Sequence, residues 1–328
     1  MMPSTETLLR LLADGKFHSG EQIGEVLGVS RAAIWKAIKG FESIGLPMDA
    51  VRGRGYRLRK PMELLDRERI LAAIDGEARA KIAAMELLFS IDSTNRYLAA
   101  DDDAEVGTAR VCVAEMQTAG RGRRGREWCS PVGANVYLSI AWRFTEGPAR
   151  LMGLSLALAV ASAQVLQRLG VPEIKVKWPN DVWYQGRKLA GLLLEVTGEA
   201  NGPCQVVAGI GVNLGMPVDM IIDQPWADLG EAVPDLSRNR LTGVLIEAFV
   251  NALQTFAVHG FTPFHAAWAS WDAVLGRRVS LILPNGPVEG VAQGIDATGA
   301  LILETPKGRQ CFSGGEVSLR VGNHVATA

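Results

Sequence analysis

The chain has 328 residues, 48% of them hydrophobic and 21% charged. This is an ordinary globular composition, with room for two or three domains that each bury a core, and it excludes a disordered chain. The net charge of −1 hides an asymmetry: residues 1–60 carry ten Lys/Arg against six Asp/Glu, and the rest of the chain is acidic. A basic module on an acidic body points to nucleic acid as a partner of the module alone.

The longest apolar stretch, Leu151 to Leu166, is interrupted by Ser155, Ser162 and Gln164 and reads as a buried helix, so no membrane contact is expected. The first residues lack the charged-then-apolar layout of a signal peptide. Cys112, Cys129, Cys204 and Cys311 are far apart and match no metal-ligand spacing. Reduced thiols in a cytoplasmic protein, with no protein-held metal, are expected.

The N-terminal module reads as three helices and a hairpin. Leu8, Leu11 and Leu12 recur at helical spacing. Ser19 and Gln22 form a capping-box pattern that opens a second helix through Ile23, Val26 and Leu27. Gly28-Val29-Ser30 is the tight turn, after which Ile34, Ile38 and Phe41 share one face while Arg31, Lys36 and Lys39 fall elsewhere. Val51 to Leu58 reads as two strands around a basic Gly tip, a wing that could lie along phosphates. The whole is a winged helix-turn-helix, with Gly20, Ser30, Arg31, Lys36, Lys39, Arg52 and Arg54 expected to face DNA. A three-helix protein-interaction domain is the plainer alternative. Trp35 fits either an exposed DNA contact or a core position facing the next domain. Lys60-Pro61 ends the module.

From Asp66 to Gly276 helices and strands alternate, which predicts an α/β domain on one sheet. Helices are expected over 66–74, 151–169, 239–259 and 263–275. Strands are expected over 111–116, 135–142, 174–178, 189–197 and 205–212. Thereafter short β runs over 278–283, 288–295, 300–304 and 316–321, separated by Asn285-Gly286, Thr298-Gly299 and Lys307-Gly308, predict a small barrel. The predicted domains are 1–62, 63–275 and 276–322, with a tail over 323–328.

Gly120-Arg121-Gly122-Arg123-Arg124-Gly125-Arg126 matches the dinucleotide fingerprint only formally. That fingerprint must open a helix, and here Glu127-Trp128-Cys129-Ser130-Pro131 follows. An RNA-binding RG segment and a solvated loop are the other readings. The favoured one is a flexible anion-binding loop, disordered when empty, whose arginine forks grip carboxylate and phosphate. There is no P-loop motif.

Lys177-Trp178-Pro179-Asn180-Asp181 ends a strand and brings Asn180 and Asp181 to its rim. Lys188 opens the apolar strand Leu189–Leu194, with its stem buried and its ammonium toward a cleft. Asp92-Ser93-Thr94-Asn95 reads equally as a helix cap or as a set of donors and acceptors for a small polar head group. Gly209-Ile210-Gly211-Val212-Asn213 is a strand open to a flat ligand, or a bulge. No Ser/His/Asp or Cys/His set suggests hydrolase chemistry.

In order, identity and spacing, Ser93-Thr94-Asn95, Gln117 to Arg126, Lys177 to Asp181, Lys188 to Gly191 and Gly209 to Asn213 resemble the biotin protein ligase family. The N-terminal module resembles that of bifunctional bacterial members that also repress biotin synthesis. Gly314 to Arg320 resembles the end of the family's small barrel. The resemblance implies an α+β multidomain protein: a winged helix-turn-helix, a catalytic domain of class II synthetase-like type, and an SH3-like β-barrel. It implies ATP and biotin as substrates, Mg²⁺, a biotin carboxyl carrier protein as acceptor, operator DNA, and a homodimer when biotinyl-AMP is held. Ser93, Thr94, Asn95 and Gln117 would hold the biotin head group, with Arg121, Gly122 and Arg123 closing over it. Lys188 would meet the biotin carboxylate and the α-phosphate. Asn180, Asp181, Asn213 and Arg320 would lie near ATP, and Trp226 would stack on adenine. Asp181 is also the candidate base for the transfer step, by proximity alone. Lipoate ligases are the nearest enzymatic alternative, and a ligand-sensing repressor without ligase activity is the nearest non-enzymatic one.

Overall fold

The computed structural model describes residues 5–101, 104–217 and 220–313 in full, and 318–321 by their backbone. The N-terminal domain comprises α1 (Thr5–Leu12), α2 (Gly20–Leu27), α3 (Arg31–Ser43) and a hairpin of β1 (Met48–Val51) and β2 (Gly55–Leu58). The predicted capping box is present: Ser19 Oγ accepts from the Gln22 amide at 3.1 Å, and Gln22 Oε1 accepts from the Ser19 amide at 3.0 Å. Gly28 ends α2 in the left-handed region, and Ser30 caps α3 by accepting from the Ala33 amide. At Gly55 a Cβ would lie 1.9 Å from the His18 carbonyl oxygen, because His18 and Tyr56 exchange backbone hydrogen bonds there. The wing is thereby fixed to the start of the helix-turn-helix.

The central domain carries α4 (Arg67–Ala72), α5 (Gly76–Ala80), β3 (Ile82–Ile91), α6 (Thr94–Ala99), β4 (Ala109–Gln117), β5 (Val136–Phe144), α7 (Leu154–Arg168), β6 (Ile174–Lys177), β7 (Asp181–Tyr184), β8 (Arg187–Gly198), β9 (Cys204–Val212), α8 (Arg238–His259) and α9 (Thr262–Trp271). Its one sheet has the order β3-β4-β5-β9-β8-β7-β6. Only β3 and β4 run parallel; every other pairing is antiparallel. Alternation along the strands sorts the two faces. Val136, Leu138, Ile140, Val206, Ala208 and Ile210 pack with the apolar helices α7 and α8 in the main core. The segments Pro148–Arg168, which contains α7, and Arg238–His259, which is α8, are long and apolar enough to cross a bilayer by composition, and more than half of each is buried. The opposite face carries Tyr137, Ser139, Gly209 and Gly211 and is covered at one end by α6.

The third domain is a five-stranded antiparallel sheet in the order β13-β12-β11-β10-β14. These strands are β10 (Arg278–Leu283), β11 (Gly286–Ile295), β12 (Leu301–Thr305), β13 (Gly308–Phe312) and β14 (Ser318–Val321). The sequence pattern missed β13, and Gly314–Val317 and the tail lie outside the described residues. Buried Val279, Leu281, Ala292 and Leu301 join the main core.

The domains are tied together by polar bonds at their seams. Val132 of the central domain is buried in the N-terminal core, with Met62, Phe89 and Met116 packed beside it. Arg238, at the start of α8, pairs with Glu115 of β4 at 2.9 Å, the two side chains being 5% and 3% exposed. The same guanidinium donates to the Glu63 and Asn135 carbonyls, and the Glu63 carboxylate accepts from Ser237 and from the Arg238 amide. A buried pair of this kind loses about 3–5 kcal/mol when one partner is removed, since the other charge is left without a counterion.

Candidate active site and DNA-facing surface

One transverse row of the sheet forms the floor of a large cavity. The register aligns Tyr137 of β5, Gly211 of β9, Gly191 of β8, Asp181 of β7 and Lys177 of β6, and all five line the cavity. The neighbouring row places Ser139 beside Gly209 and Gly209 beside Leu193. The glycines are required by close approach: a Cβ at Gly209 would lie 2.1 Å from Asn95 Oδ1, and one at Gly211 2.3 Å from the Trp128 ring.

At the β5–β9 end, Ser93 caps α6, so the cap reading of Asp92-Ser93-Thr94-Asn95 is realised. All of Ser93, Thr94, Asn95 and Gln117 also line the cavity, so the second reading holds as placement. Their hydrogen bonds show what they can offer a ligand. The Gln117 Oε1 accepts from the Thr94 amide at 2.9 Å, and its Nε2 donates to Ser130 Oγ at 3.0 Å. Ser139 Oγ lies 2.6 Å from Asn95 Oδ1 and 2.7 Å from Thr94 Oγ1. Asn95 Oδ1 can only accept, so the single Ser139 proton goes there and the Thr94 hydroxyl donates within the cluster. Thr94 Oγ1 is then left with acceptor capacity toward the cavity. Asn95 Nδ2 donates to Glu195 Oε2 and to the Leu193 carbonyl.

The arginine loop lies folded against the cavity. Residues Arg123–Gly125 make one 3₁₀ turn, the Gly122 amide donates to the Arg126 carbonyl at 2.7 Å, and Arg121 pairs with Glu195 at 3.0 Å. Arg123 Nη1 donates to Asn180 Oδ1 at 3.2 Å. Burial pulls the Arg123 guanidinium below its ordinary pKa, partly offset by the Asp181 charge and reinforced by Arg124 and Arg126. A partly desolvated cation attracts an incoming anion more strongly than a fully solvated one. Arg124 and Arg126 remain exposed at the rim.

Lys188 Nζ and Asp181 Oδ1 are 3.0 Å apart, each side chain 17% exposed. The contact is ionic and poorly aimed, because Asp181 Oδ1 receives no directed hydrogen bond. The Lys188 ammonium also stands 5.3 Å from the Trp128 ring centroid. Asn180 Nδ2 donates to the Leu192 carbonyl. Asn213 is buried, and its Nδ2 donates to the Ala227 carbonyl at 3.0 Å. Trp226 forms a parallel bridge with Lys188 and lines the same cavity. The Arg320 backbone lies in β14, and its side chain is outside the described residues. Among the described residues no group of three or more His, Cys, Asp or Glu could hold a metal.

Several cavity residues escaped the sequence reading. Trp128 was used only to reject a helix, yet its ring rests on Gly211 and Gly191 and its buried Nε1 has no partner. Trp183 Nε1 is likewise unpartnered, with Lys177 Nζ 4.6 Å from its ring. Ser139 and Glu195 serve as partners of predicted residues, and Arg277 reaches the cavity from the third domain. An aromatic directly after an Arg-Gly loop was the one available signal.

On the N-terminal domain, Ser30, Arg31, Lys36, Lys39, Arg52 and Arg54 are exposed, and Gly20 is half-buried beside the Tyr56 ring. The Ser30 hydroxyl is engaged as the α3 cap, and Lys39 pairs with Glu42. Arg54 and Arg57 stack over Phe17 at 4.2 and 4.6 Å, which stiffens the wing. Trp35 is 57% exposed, so of its two readings the core position is excluded.

Comparison with known proteins gives three family matches in chain order. An HTH domain matches residues 5–57, the biotin/lipoate A/B protein ligase family matches 87–213, and the biotin protein ligase C-terminal domain matches 274–320. The bifunctional ligase/repressor BirA of Escherichia coli is 44% identical over 315 residues, 95% of this chain and 96% of that one. The biotin–[acetyl-CoA-carboxylase] ligase of Paracoccus denitrificans is 35% identical over 238 residues, 70% of this chain and 98% of that one. Among solved structures, the Aquifex aeolicus biotin protein ligase in complex with biotin and ATP is similar with a TM-score of 0.62 and 28% identity, over 73% of this chain and 100% of that one.

Proposed function

This chain belongs to the BirA family of bifunctional ligase/repressors, and from that membership we propose that it is an ATP-dependent biotin protein ligase that also represses transcription through its N-terminal domain. The substrates are biotin and ATP, the latter as its Mg²⁺ complex, and the acceptor is a lysine of a biotin carboxyl carrier protein. The observation that carries the reading is the Lys188–Asp181 pair set between a glycine floor and a closing arginine loop.

In the first step a biotin carboxylate oxygen attacks the α-phosphorus, the bond to the bridging oxygen breaks, and pyrophosphate leaves. Carboxylate and phosphate repel, so the barrier falls where cations surround the phosphorus. Lys188, Arg123 and Arg121 supply that charge. Ser93, Thr94, Asn95 and Gln117 hold the head group; the acceptor capacity of Thr94 Oγ1 suits a ureido N–H. Asn180, Asn213, Trp226 and Arg320 complete the ATP site. In the second step the neutral carrier amine attacks the anhydride carbonyl carbon, AMP leaves, and one amine proton must be removed. Asp181 is proposed to accept it once the adenylate phosphate has drawn Lys188 away. If so, Asp181→Asn slows single-turnover transfer from added biotinyl-AMP by at least ten-fold; an unchanged transfer rate would exclude Asp181 as base.

Gly20, Ser30, Arg31, Lys36, Lys39, Arg52 and Arg54 form the proposed DNA face, reading paired half-sites as a cytoplasmic homodimer that holds biotinyl-AMP. ATP–pyrophosphate exchange with biotin against lipoate tests the ligase. Biotin-dependent exchange is expected. Exchange with lipoate alone would move the substrate to the neighbouring branch, and none with either would leave a ligand-sensing repressor.

A further inference from the structure

The cavity floor has a direction, and that direction leads to Arg277. The row Gly211, Gly191, Asp181, Lys177 crosses β9, β8, β7 and β6, each step being about 4.8 Å. The head-group residues sit at the β5–β9 end. The Lys188–Asp181 pair sits over β8 and β7. Lys177, at the end of edge strand β6, is two strands beyond Gly191, roughly 10 Å further along. In-line displacement at the α-phosphorus places the leaving group opposite the attacking carboxylate. A carboxylate arriving from the β9 side therefore expels its leaving group toward β6.

What stands there is the chain that leads from α9 into the third domain. Residues 272 and 273 run beside β6, with Asp272 bridging Val176 and the Ala273 amide donating to the Val176 carbonyl at 2.9 Å. The chain turns through Gly276, whose amide donates to the Ala292 carbonyl, and Arg277 follows on the cavity wall. A different turn of the third domain, between β11 and β12, is held against the Trp178-Pro179 segment, where buried Trp178 Nε1 donates to the Gly299 carbonyl at 3.0 Å. Among the described residues the Arg277 side chain makes no hydrogen bond or ion pair. Arg121 and Lys188, by contrast, are already matched to Glu195 and Asp181. An exposed guanidinium without a counterion among the described residues, one residue before β10 and at the leaving-group end of a cationic cavity, fits a phosphoryl oxygen pair.

We propose that Arg277 grips the β- and γ-phosphates of bound ATP and the pyrophosphate that leaves. This rests on the ligase reading, and it adds a triphosphate contact, at work in the first half-reaction only, to the ATP-site role proposed for Arg320 of the same domain.

The test uses the full chain with Arg277→Ala and Arg277→Lys. Pyrophosphate affinity is measured by calorimetry, the KM values for ATP and biotin by exchange, and transfer to carrier protein by single turnover from added biotinyl-AMP. For Arg277→Ala, pyrophosphate affinity falls and the KM for ATP rises roughly ten-fold or more. The KM for biotin and the transfer rate stay within two-fold of wild type, and Arg277→Lys falls between. Unchanged pyrophosphate affinity, or a raised KM for the carrier protein with ATP unaffected, would overturn the assignment. Failure of the wild type to exchange with biotin would instead sink the ligase reading, and the direct pyrophosphate arm would still decide whether Arg277 binds it. Intact single-turnover transfer in Arg277→Ala also rules out a merely misfolded variant.

Discussion

Gly211 shows how narrowly a single residue is constrained by its surroundings. Nothing in its backbone requires glycine, but the Trp128 ring occupies the space a Cβ would need. Gly211→Ala must push that ring off the floor, so the KM for biotin in exchange should rise more than ten-fold while the melting temperature changes by a few degrees at most. An unchanged KM would mean the ring is no part of the biotin site. Arg123 illustrates the opposite situation, a side chain whose one described hydrogen bond is to Asn180 and whose burial favours a bound anion. Arg123→Gly should release biotinyl-adenylate early, visible as biotin labelling of a bystander such as serum albumin at least ten-fold above wild type. Labelling at the wild-type level would mean the loop does not retain the adenylate. Residues with unusual chemistry for their position were legible in the sequence: Arg123, Lys188 and Asp181 stand out as charges among glycines or in apolar strands. Trp128, Ser139 and Glu195 were not, because an indole, a hydroxyl and a carboxylate in strands or loops are commonplace until the register shows what they face.

At the level of elements, the strongly patterned segments matched expectation. The capping box at Ser19, the Gly28 turn and the α8 periodicity carry their signals locally, within a few residues. The missed strands lack such a signal. In β3, Ala83, Ala84 and the pair Leu87-Leu88 spoil the alternation, and β7 has only four residues, formed because β8 pairs with it. The antiparallel character of the sheet was also hidden, since periodicity reports faces and not directions. The wing makes its own prediction. Arg52 and Arg54 flank Gly53 at its tip, and Arg54 is held by Phe17. Replacing both with Ala should lower the log–log salt slope of DNA binding by about 2, one phosphate contact each. Binding measured between 50 and 200 mM salt checks it; an unchanged slope would place the wing away from phosphates.

Across the whole molecule, the cavity is lined by the central and third domains, and the first is joined to the central domain through the linker. Glu63, in the linker after the first domain, is raised by burial, but hydrogen bonds from Asn239, Ser237 and the Arg238 amide outweigh this and hold its pKa below the ordinary value of 4.5. A carboxyl depressed in the folded state stabilises above its unfolded pKa and loses that contribution as pH falls through the folded value. Thermal stability should therefore fall more steeply below about pH 4.5 in wild type than in Glu63→Gln, by melting curves from pH 3 to 6; parallel curves would show that Glu63 does not anchor the linker. The seam on the other side has a different consequence. The donor on Trp178 lies in the protein interior, and its acceptor, the Gly299 carbonyl, belongs to another domain. Exchange of the small β domain by recombination would strand that donor, at about 1–3 kcal/mol, unless the incoming piece carried a carbonyl to the same point. Chimeras cut near residue 275 should thus succeed only when the tryptophan turn and the β11–β12 turn that faces it are inherited as a pair.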